Sequence, residues 1–210
     1  MKKKIAILGS TGSIGKSTLQ VIRSNKKNFD IIFLSANNDY KTLIKQAKEF
    51  NARNVLIKNK LFYERVKRSL INKKTKVFSG DMSLNKIISF KLDYTISAIV
   101  GIAGLQPTID AIKISKTVAI ANKETIICGW QILSKALKKY KTQIVPVDSE
   151  HFSIMELTKG ISNNDISEII ITASGGPFLE TPIKKLKKIK PRQAIKHPNW
   201  KMGKKISVDS

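Results

Sequence analysis

The sequence predicts an α/β fold: a doubly wound parallel sheet over residues 1–147, followed over 148–210 by the incomplete start of an α+β domain. Three observations predict it. Short apolar runs recur at 5–8, 31–34 and 55–57, and they are continuous rather than alternating, as in strands covered on both faces. Between the runs lie stretches with helical spacing, such as Leu43, Ile44 and Ala47. A turn rich in Gly, Ser and Thr joins the first run to the first helical stretch, as in a βαβ unit.

The elements follow in order. A strand at 4–8 leads through Gly9-Ser10-Thr11-Gly12 to a helix at 14–24. A strand at 30–36, a helix at 40–50 and a strand at 54–57 complete a βαβαβ unit. The pattern continues with a helix at 59–71, a strand at 76–78, a helix near 81–89 and a strand at 94–99. After the loop 101–104 come a helix at 106–114, a strand at 117–121, a helix at 124–140 and a strand at 143–147. Beyond Asp148 the texture changes. A strand at 167–172, a Gly-rich turn at 173–178, a basic helix near 182–188 and the polar stretch His197-Pro198-Asn199-Trp200 read as the beginning of a second domain rather than the whole of one.

Composition excludes several functional classes. The 210 residues include 41% hydrophobic residues and 32 Ile, enough to bury a core, so the chain is not disordered. The single cysteine, Cys128, rules out an internal disulfide framework and predicts a reducing, cytoplasmic setting. No run approaches the roughly 18 apolar residues that span a bilayer, so no membrane partner is predicted. The opening Lys2-Lys3-Lys4 resembles a signal-peptide start, but the apolar run after it stops at Gly9 and is too short. With 39 Lys+Arg against 15 Asp+Glu the net charge is +24, which raises the question of nucleic acid. Only 5 of those cations are Arg, and the densest cluster, at 184–190, contains no aromatic residue on which bases would stack. The charge therefore reads as a solvated Lys-rich surface with no specific nucleic-acid partner.

Four constellations carry chemistry. The turn Gly9-x-x-Gly12-x-x-Gly15 sits between strand and helix, where backbone N–H groups at a helix start attract a pyrophosphate; an ordinary βα turn has the same composition. No acid stands directly at the end of the second strand, in Ala36-Asn37-Asn38, which favours a 2′-phosphorylated dinucleotide, with Asp39 close by. Asn122-Lys123-Glu124 lies at the carboxyl end of a strand, where ligands bind in such sheets, although Glu124 equally suits a helix N-terminus. In extended chain Asp148 and Glu150 share a face and offer hard oxygen ligands for Mg²⁺ or Mn²⁺; the alternative is an acidic helix cap with Glu150 in the first turn. Finally, Ser174 in the turn Ala173-Ser174-Gly175-Gly176-Pro177 suits a phosphate, and His197 and Trp200 suit a loop that covers a ligand or one packed on the body.

In order, Gly-Ser-Thr-Gly-Ser-Ile-Gly at 9–15, Ala-Asn-Lys-Glu at 121–124, Pro-Val-Asp-Ser-Glu-His at 146–151, Ser-Gly-Gly-Pro-Phe at 174–178 and His-Pro-Asn-Trp-x-Met-Gly at 197–203, running on to Ser210, resemble the 1-deoxy-D-xylulose 5-phosphate reductoisomerase family. The resemblance covers essentially the whole chain and implies a Rossmann-like NADPH-binding domain at 1–147, then the N-terminal part of a catalytic, metal-binding domain. It implies that Thr11, Gly12, Ser13, Ile14, Asn122, Glu124 and Gly203 contact NADPH. It further implies that Lys123, Ser149, Ser174, His197 and Ser210 hold the sugar phosphate substrate, and that Asp148 and Glu150 bind Mg²⁺ or Mn²⁺. The resemblance also implies Asp148, Glu150, Lys123 and His197 as catalytic residues, an oxidoreductase step of isoprenoid precursor synthesis as the activity, and a homodimer for the full family chain. Asn37-Asn38-Asp39 departs from the family's Gly-Lys-Asn type segment. The family's third metal-binding Glu and its C-terminal helical domain are expected beyond Ser210. The alternative expectation is therefore a catalytically inactive remnant that at most binds NADP(H).

Overall fold

The computed structural model describes residues 1–173, 175–197 and 208, which fall into two compact units, Met1–Asp148 and Ser149–Ser210. The first unit alternates strands and helices: β1 (Lys3–Leu8), α1 (Ser13–Ser24), β2 (Phe29–Ala36), α2 (Tyr40–Phe50), β3 (Asn54–Ile57), α3 (Tyr63–Ser69), β4 (Lys76–Ser79), α4 (Leu84–Ile87), β5 (Leu92–Ser97), α5 (Leu105–Ile114), β6 (Ser115–Ile120), α6 (Lys123–Tyr140) and β7 (Gln143–Pro146). The strands pair in the order β4-β3-β2-β1-β5-β6-β7, and every neighbouring pair is parallel. After β4 the chain returns to the other side of β1. The switch point thus lies between the carboxyl ends of β1 and β5, where doubly wound sheets bind ligands.

The uninterrupted apolar runs follow from coverage on both faces. Along β1, Ile5 and Ile7 enter one cluster with Leu19, Ile22, Leu34 and Leu43, while Ala6 and Leu8 enter another with Ile32, Phe33, Ile112 and Leu133. Alternate residues of a strand point to opposite faces, so a strand between two cores must be apolar at every position.

Two helices are shorter than their sequence patterns predict. The stretch 59–71 becomes a 3₁₀ turn, Lys60–Phe62, followed by α3; Asn59 Oδ1 accepts from the Leu61 N–H at 3.0 Å and opens that turn. The stretch 81–89 yields only one helical turn, because Ile88 leaves it in an extended conformation (φ −122°, ψ 118°) to bury its side chain in the second cluster. Ser83, just before that turn, donates to Asp110 Oδ2 at 2.5 Å and fixes it to α5.

The second unit contains α7 (Ser149–Leu157), α8 (Ile183–Leu186) and α9 (Pro191–Ala194), with 3₁₀ turns at Asn163–Asp165 and Gly176–Phe178. The strand predicted at 167–172 is not formed. Its isoleucines, Ile169, Ile170 and Ile171, are 56, 73 and 60% exposed, and no strand pairs with them among the described residues. Apolar β-branched composition supplies propensity, but a strand exists only in a ladder with a partner. No helix among the described residues is long and apolar enough to cross a membrane.

Candidate functional site

The first constellation lies at the switch point. Gly9 ends β1 with φ +79°, and a Cβ there would stand 2.7 Å from the Ala98 carbonyl oxygen at the end of β5, so this turn requires glycine. Gly15 is required for a different reason: inside α1, its Cβ would approach Gly9 O and Ser10 Cα at 2.5 Å each, so only a hydrogen lets the helix sit this close to the turn. Between them the loop is tied down from β2. The Gly9 N–H donates to Ser35 Oγ at 3.1 Å and the Ser10 N–H to Ser35 O at 2.8 Å, while the Gly12 N–H closes the turn on Gly9 O at 3.1 Å.

Gly12 caps α1 without a side-chain hydrogen bond, and the first turn of the helix carries no acidic residue. The first-turn N–H groups of Ser13, Ile14 and Gly15 have no intrahelical acceptor, and the positive end of the helix dipole is left uncompensated. Thr11, Gly12, Ser13 and Ile14 are partly or fully exposed there. This is the geometry of an anion site.

The end of β2 is built differently from what its sequence suggests. Asp39, the acid nearest to a ribose position, accepts from the Thr42 N–H at 3.0 Å as the cap of α2. Burial alone would raise its pKa, but the bonds from Thr42 and the neighbouring Lys16 and Lys45 hold the carboxyl below its ordinary value. Asn38 Oδ1 accepts from Asn59 Nδ2 at 2.9 Å, which links this loop to the one after β3. The acid is thus occupied as a cap, and the charges around it are cationic.

At the carboxyl ends of β5 and β6, Asn122 is 4% exposed and its side chain is fully engaged. Oδ1 accepts from the Thr125 N–H at 3.1 Å and caps α6, while Nδ2 donates to Gly101 O at 2.7 Å and also to Ile99 O. Gly104 makes this possible, because a Cβ at that position would lie 2.4 Å from Asn122 Nδ2. Asn122 therefore fixes the loop after β5, and its amide atoms are taken up by that task. Lys123 is exposed and Glu124 half-buried in the first turn of α6.

The extended arrangement of Asp148 and Glu150 is corrected. α7 begins at Ser149, so Glu150 stands in its first turn and Asp148 immediately precedes the helix. With about 100° of rotation per helical residue, alternate helical positions do not share a face as they do in extended chain, and an acid in the first turn complements the helix dipole. Ser149 Oγ donates to Glu150 Oε2 at 3.1 Å. Among the described residues no group of three His, Cys, Asp or Glu side chains is arranged to hold a metal.

In the second unit Gly175 and Gly176 take consecutive positive φ angles, +75° and +67°, in the predicted Gly-rich turn. His197 is half-buried. Ser174, Trp200, Gly203 and Ser210 lie outside the described residues. Sequence reasoning missed Ser35 and Gln46, which hold the Gly9–Gly12 turn; Gln46 was detectable as a polar residue three positions after Leu43, on the apolar side of α2.

The family model described as 1-deoxy-D-xylulose 5-phosphate reductoisomerase matches residues 5–129, and the one described as the C-terminal domain of that enzyme matches 144–210. The chain belongs to the 1-deoxy-D-xylulose 5-phosphate reductoisomerase family. It is 54% identical to the reductoisomerase of Pelagibacter ubique (strain HTCC1062), covering 99% of this chain and 54% of that one, and 43% identical to that of Bacteroides fragilis (strain YCH46), covering 100% and 54%. Among solved structures it matches the Zymomonas mobilis reductoisomerase in complex with NADPH at a TM-score of 0.87 and 35% identity, over 93% of this chain and 52% of that chain. A reductoisomerase in complex with NADPH, fosmidomycin and magnesium matches at a TM-score of 0.89 and 34% identity, over 99% and 54%. The chain spans about half the length of the curated relatives it matches.

Proposed function

We propose that this chain is the NADPH-binding and metal-binding portion of an enzyme that converts 1-deoxy-D-xylulose 5-phosphate to 2-C-methyl-D-erythritol 4-phosphate in isoprenoid precursor synthesis. The observation that carries the reading is the uncapped N-terminus of α1 at the β1/β5 switch point, in a chain of this family. In this reading Thr11, Gly12, Ser13 and Ile14 take the pyrophosphate of NADPH, while Asn122 holds the loop that flanks the nicotinamide and Glu124 and Gly203 approach the cofactor. The absence of a ribose-binding acid at the end of β2, with Asp39 serving as a cap, supports the 2′-phosphorylated cofactor over its unphosphorylated form.

Asp148 and Glu150 offer two carboxylates, which suits a cation that binds few protein ligands and leaves positions for substrate oxygens. When bound, Mg²⁺ or Mn²⁺ supplies Lewis-acid polarisation of a carbonyl, and NADPH supplies a hydride. The residues of the chain bind and orient: Lys123, Ser149, Ser174, His197 and Ser210 hold the sugar phosphate, and Trp200 excludes water. The test is loss of NADPH absorbance with the purified chain. Turnover that requires both the sugar phosphate and Mg²⁺ or Mn²⁺ supports the reading, and its absence overturns the claim of activity.

A second reading, NADP(H) binding without turnover, is favoured by one observation: no third acidic or histidine ligand stands with Asp148 and Glu150 among the described residues. Saturable cofactor binding with no metal-dependent turnover distinguishes it.

A further inference from the structure

We infer that Gln46, a buried residue of α2, is a positioning residue that sets the orientation of the Ser10–Thr11 peptide in the nucleotide loop. Gln46 is 7% exposed and Ser10 is 0% exposed, and the two are joined by reciprocal hydrogen bonds. Ser10 Oγ donates to Gln46 Oε1 at 2.7 Å, and Gln46 Nε2 donates to the Ser10 carbonyl oxygen at 2.8 Å. A primary amide placed in an apolar interior loses its hydration, so an aliphatic side chain at this position, between Leu43 and Ala47, would pack at no such cost. What the amide provides is directional. The Ser10 carbonyl and the Thr11 N–H belong to one planar trans peptide and point in opposite directions. By holding the carbonyl toward α2, Gln46 turns the Thr11 N–H away from α2 and outward from the buried side of the loop. The Ser10 amide bonded to Ser35 O and the Gly9 amide bonded to Ser35 Oγ fix the preceding peptides, so Gln46 completes the orientation of the turn that leads to the N-terminus of α1.

The inference rests on the nucleotide reading for its consequence but not for its geometry, and two measurements separate them. In the full chain, Gln46→Met keeps the side-chain length and removes both polar atoms. Amide hydrogen exchange without ligand is expected to speed up by about tenfold at Gly9, Ser10 and Gly12, the scale of a lost buried hydrogen bond. Exchange at Ala121 and Val147, bonded to Ser97 and Ile120 at the far side of the sheet, stays unchanged. NADP⁺ affinity is expected to fall by about tenfold as well. Gln46→Glu, which keeps size and acceptor but presents an oxygen to the Ser10 carbonyl, gives the same local pattern should the Met variant not fold. Ser10→Ala combined with Gln46→Met is expected to lose less NADP⁺ affinity than the two single losses together, because both act on the same contact. Unchanged exchange in the loop, or acceleration spread uniformly over the sheet, overturns the positioning role. Loop-specific acceleration with no NADP⁺ binding by the unsubstituted chain sustains that role and overturns the nucleotide reading instead.

Discussion

In the first unit Ile7, Leu34, Ile57 and Ile112 are fully buried, whereas in the second Leu157, Ile170 and Ile183 are 74, 73 and 83% exposed. The difference lies in what each stretch of sequence finds to pair with. Every strand of the first unit lies beside another, and helices cover both faces, so each apolar run is matched by a complementary surface. Among the described residues of the second unit no apolar side chain is buried, and α8 and α9 have four residues each, far below the length at which a helix is stable alone. The Gly9–Gly15 loop stands on the packed unit, with its glycines and carbonyls fixed by neighbours, while Ser149 and Glu150 stand on a helix, and His197 on a segment, without a buried apolar side chain among the described residues. Among the described residues the loop held by the most neighbouring groups is therefore the one between β1 and α1.

Three substitution or pH experiments sharpen the contrast. The largest effect is expected from Ile7→Ala, at about 2–5 kcal/mol, since the cavity opens in the packed layer between the sheet and helices α1 and α2. Ile170→Ala is expected to stay within about 0.5 kcal/mol. Urea unfolding measures both, and equal losses would erase the distinction between the units. Next comes Asn122→Ala, which removes the α6 cap and leaves the Ile99 and Gly101 carbonyls without their donor, for a loss of about 2 kcal/mol. Ser149→Ala, on an exposed helix start, is expected to lose less than about 0.5 kcal/mol in the same assay.

The smallest effect is electrostatic. Glu49 is held below its ordinary pKa by the hydrogen bond and charge of Arg23, and Asp93 by the bond from Lys116 and the Lys4 N–H; with Asp39, all three lie in the first unit. A carboxyl whose folded pKa is depressed stabilises the fold above its unfolded value and loses that contribution as pH falls through the folded one. Melting temperature is thus expected to hold from neutrality down to about pH 4.5 and then decline, with a shallower decline in high salt because the lysine and arginine partners are half-exposed or more and within reach of salt. A melting temperature that rises on acidification would contradict the assignment.

Much of the first unit was legible because its strands are local in sequence and apolar throughout: runs such as 31–34 and 55–57 suit a strand covered on both faces. The one-turn α4 was not legible, since Ile88 is drawn out of the helix by a core assembled from distant residues. The run at 167–172 shows the converse, in that isoleucines suited to a ladder give no strand without a partner. At the site, the spacing of Gly9, Gly12 and Gly15 was readable, because each turn geometry follows from local backbone requirements. The roles of Ser35, Gln46 and Asn122 as clamps were not: Gln46 stands out as a polar residue on the apolar side of α2, but neither it, nor a Ser in a strand, nor an Asn before a helix carries a mark of the loop it will face.

The nucleotide site is tested most directly by one titration: NADPH added to the 210-residue chain beside its Gly15→Ala variant, whose new methyl would stand 2.5 Å from Gly9 O and Ser10 Cα. The expected result is saturable binding by the unsubstituted chain and affinity weaker by at least about tenfold in the variant, as the loop is pushed from its place against α1. No saturable binding by the unsubstituted chain, or equal affinity in the two proteins, would contradict the nucleotide site at the head of α1.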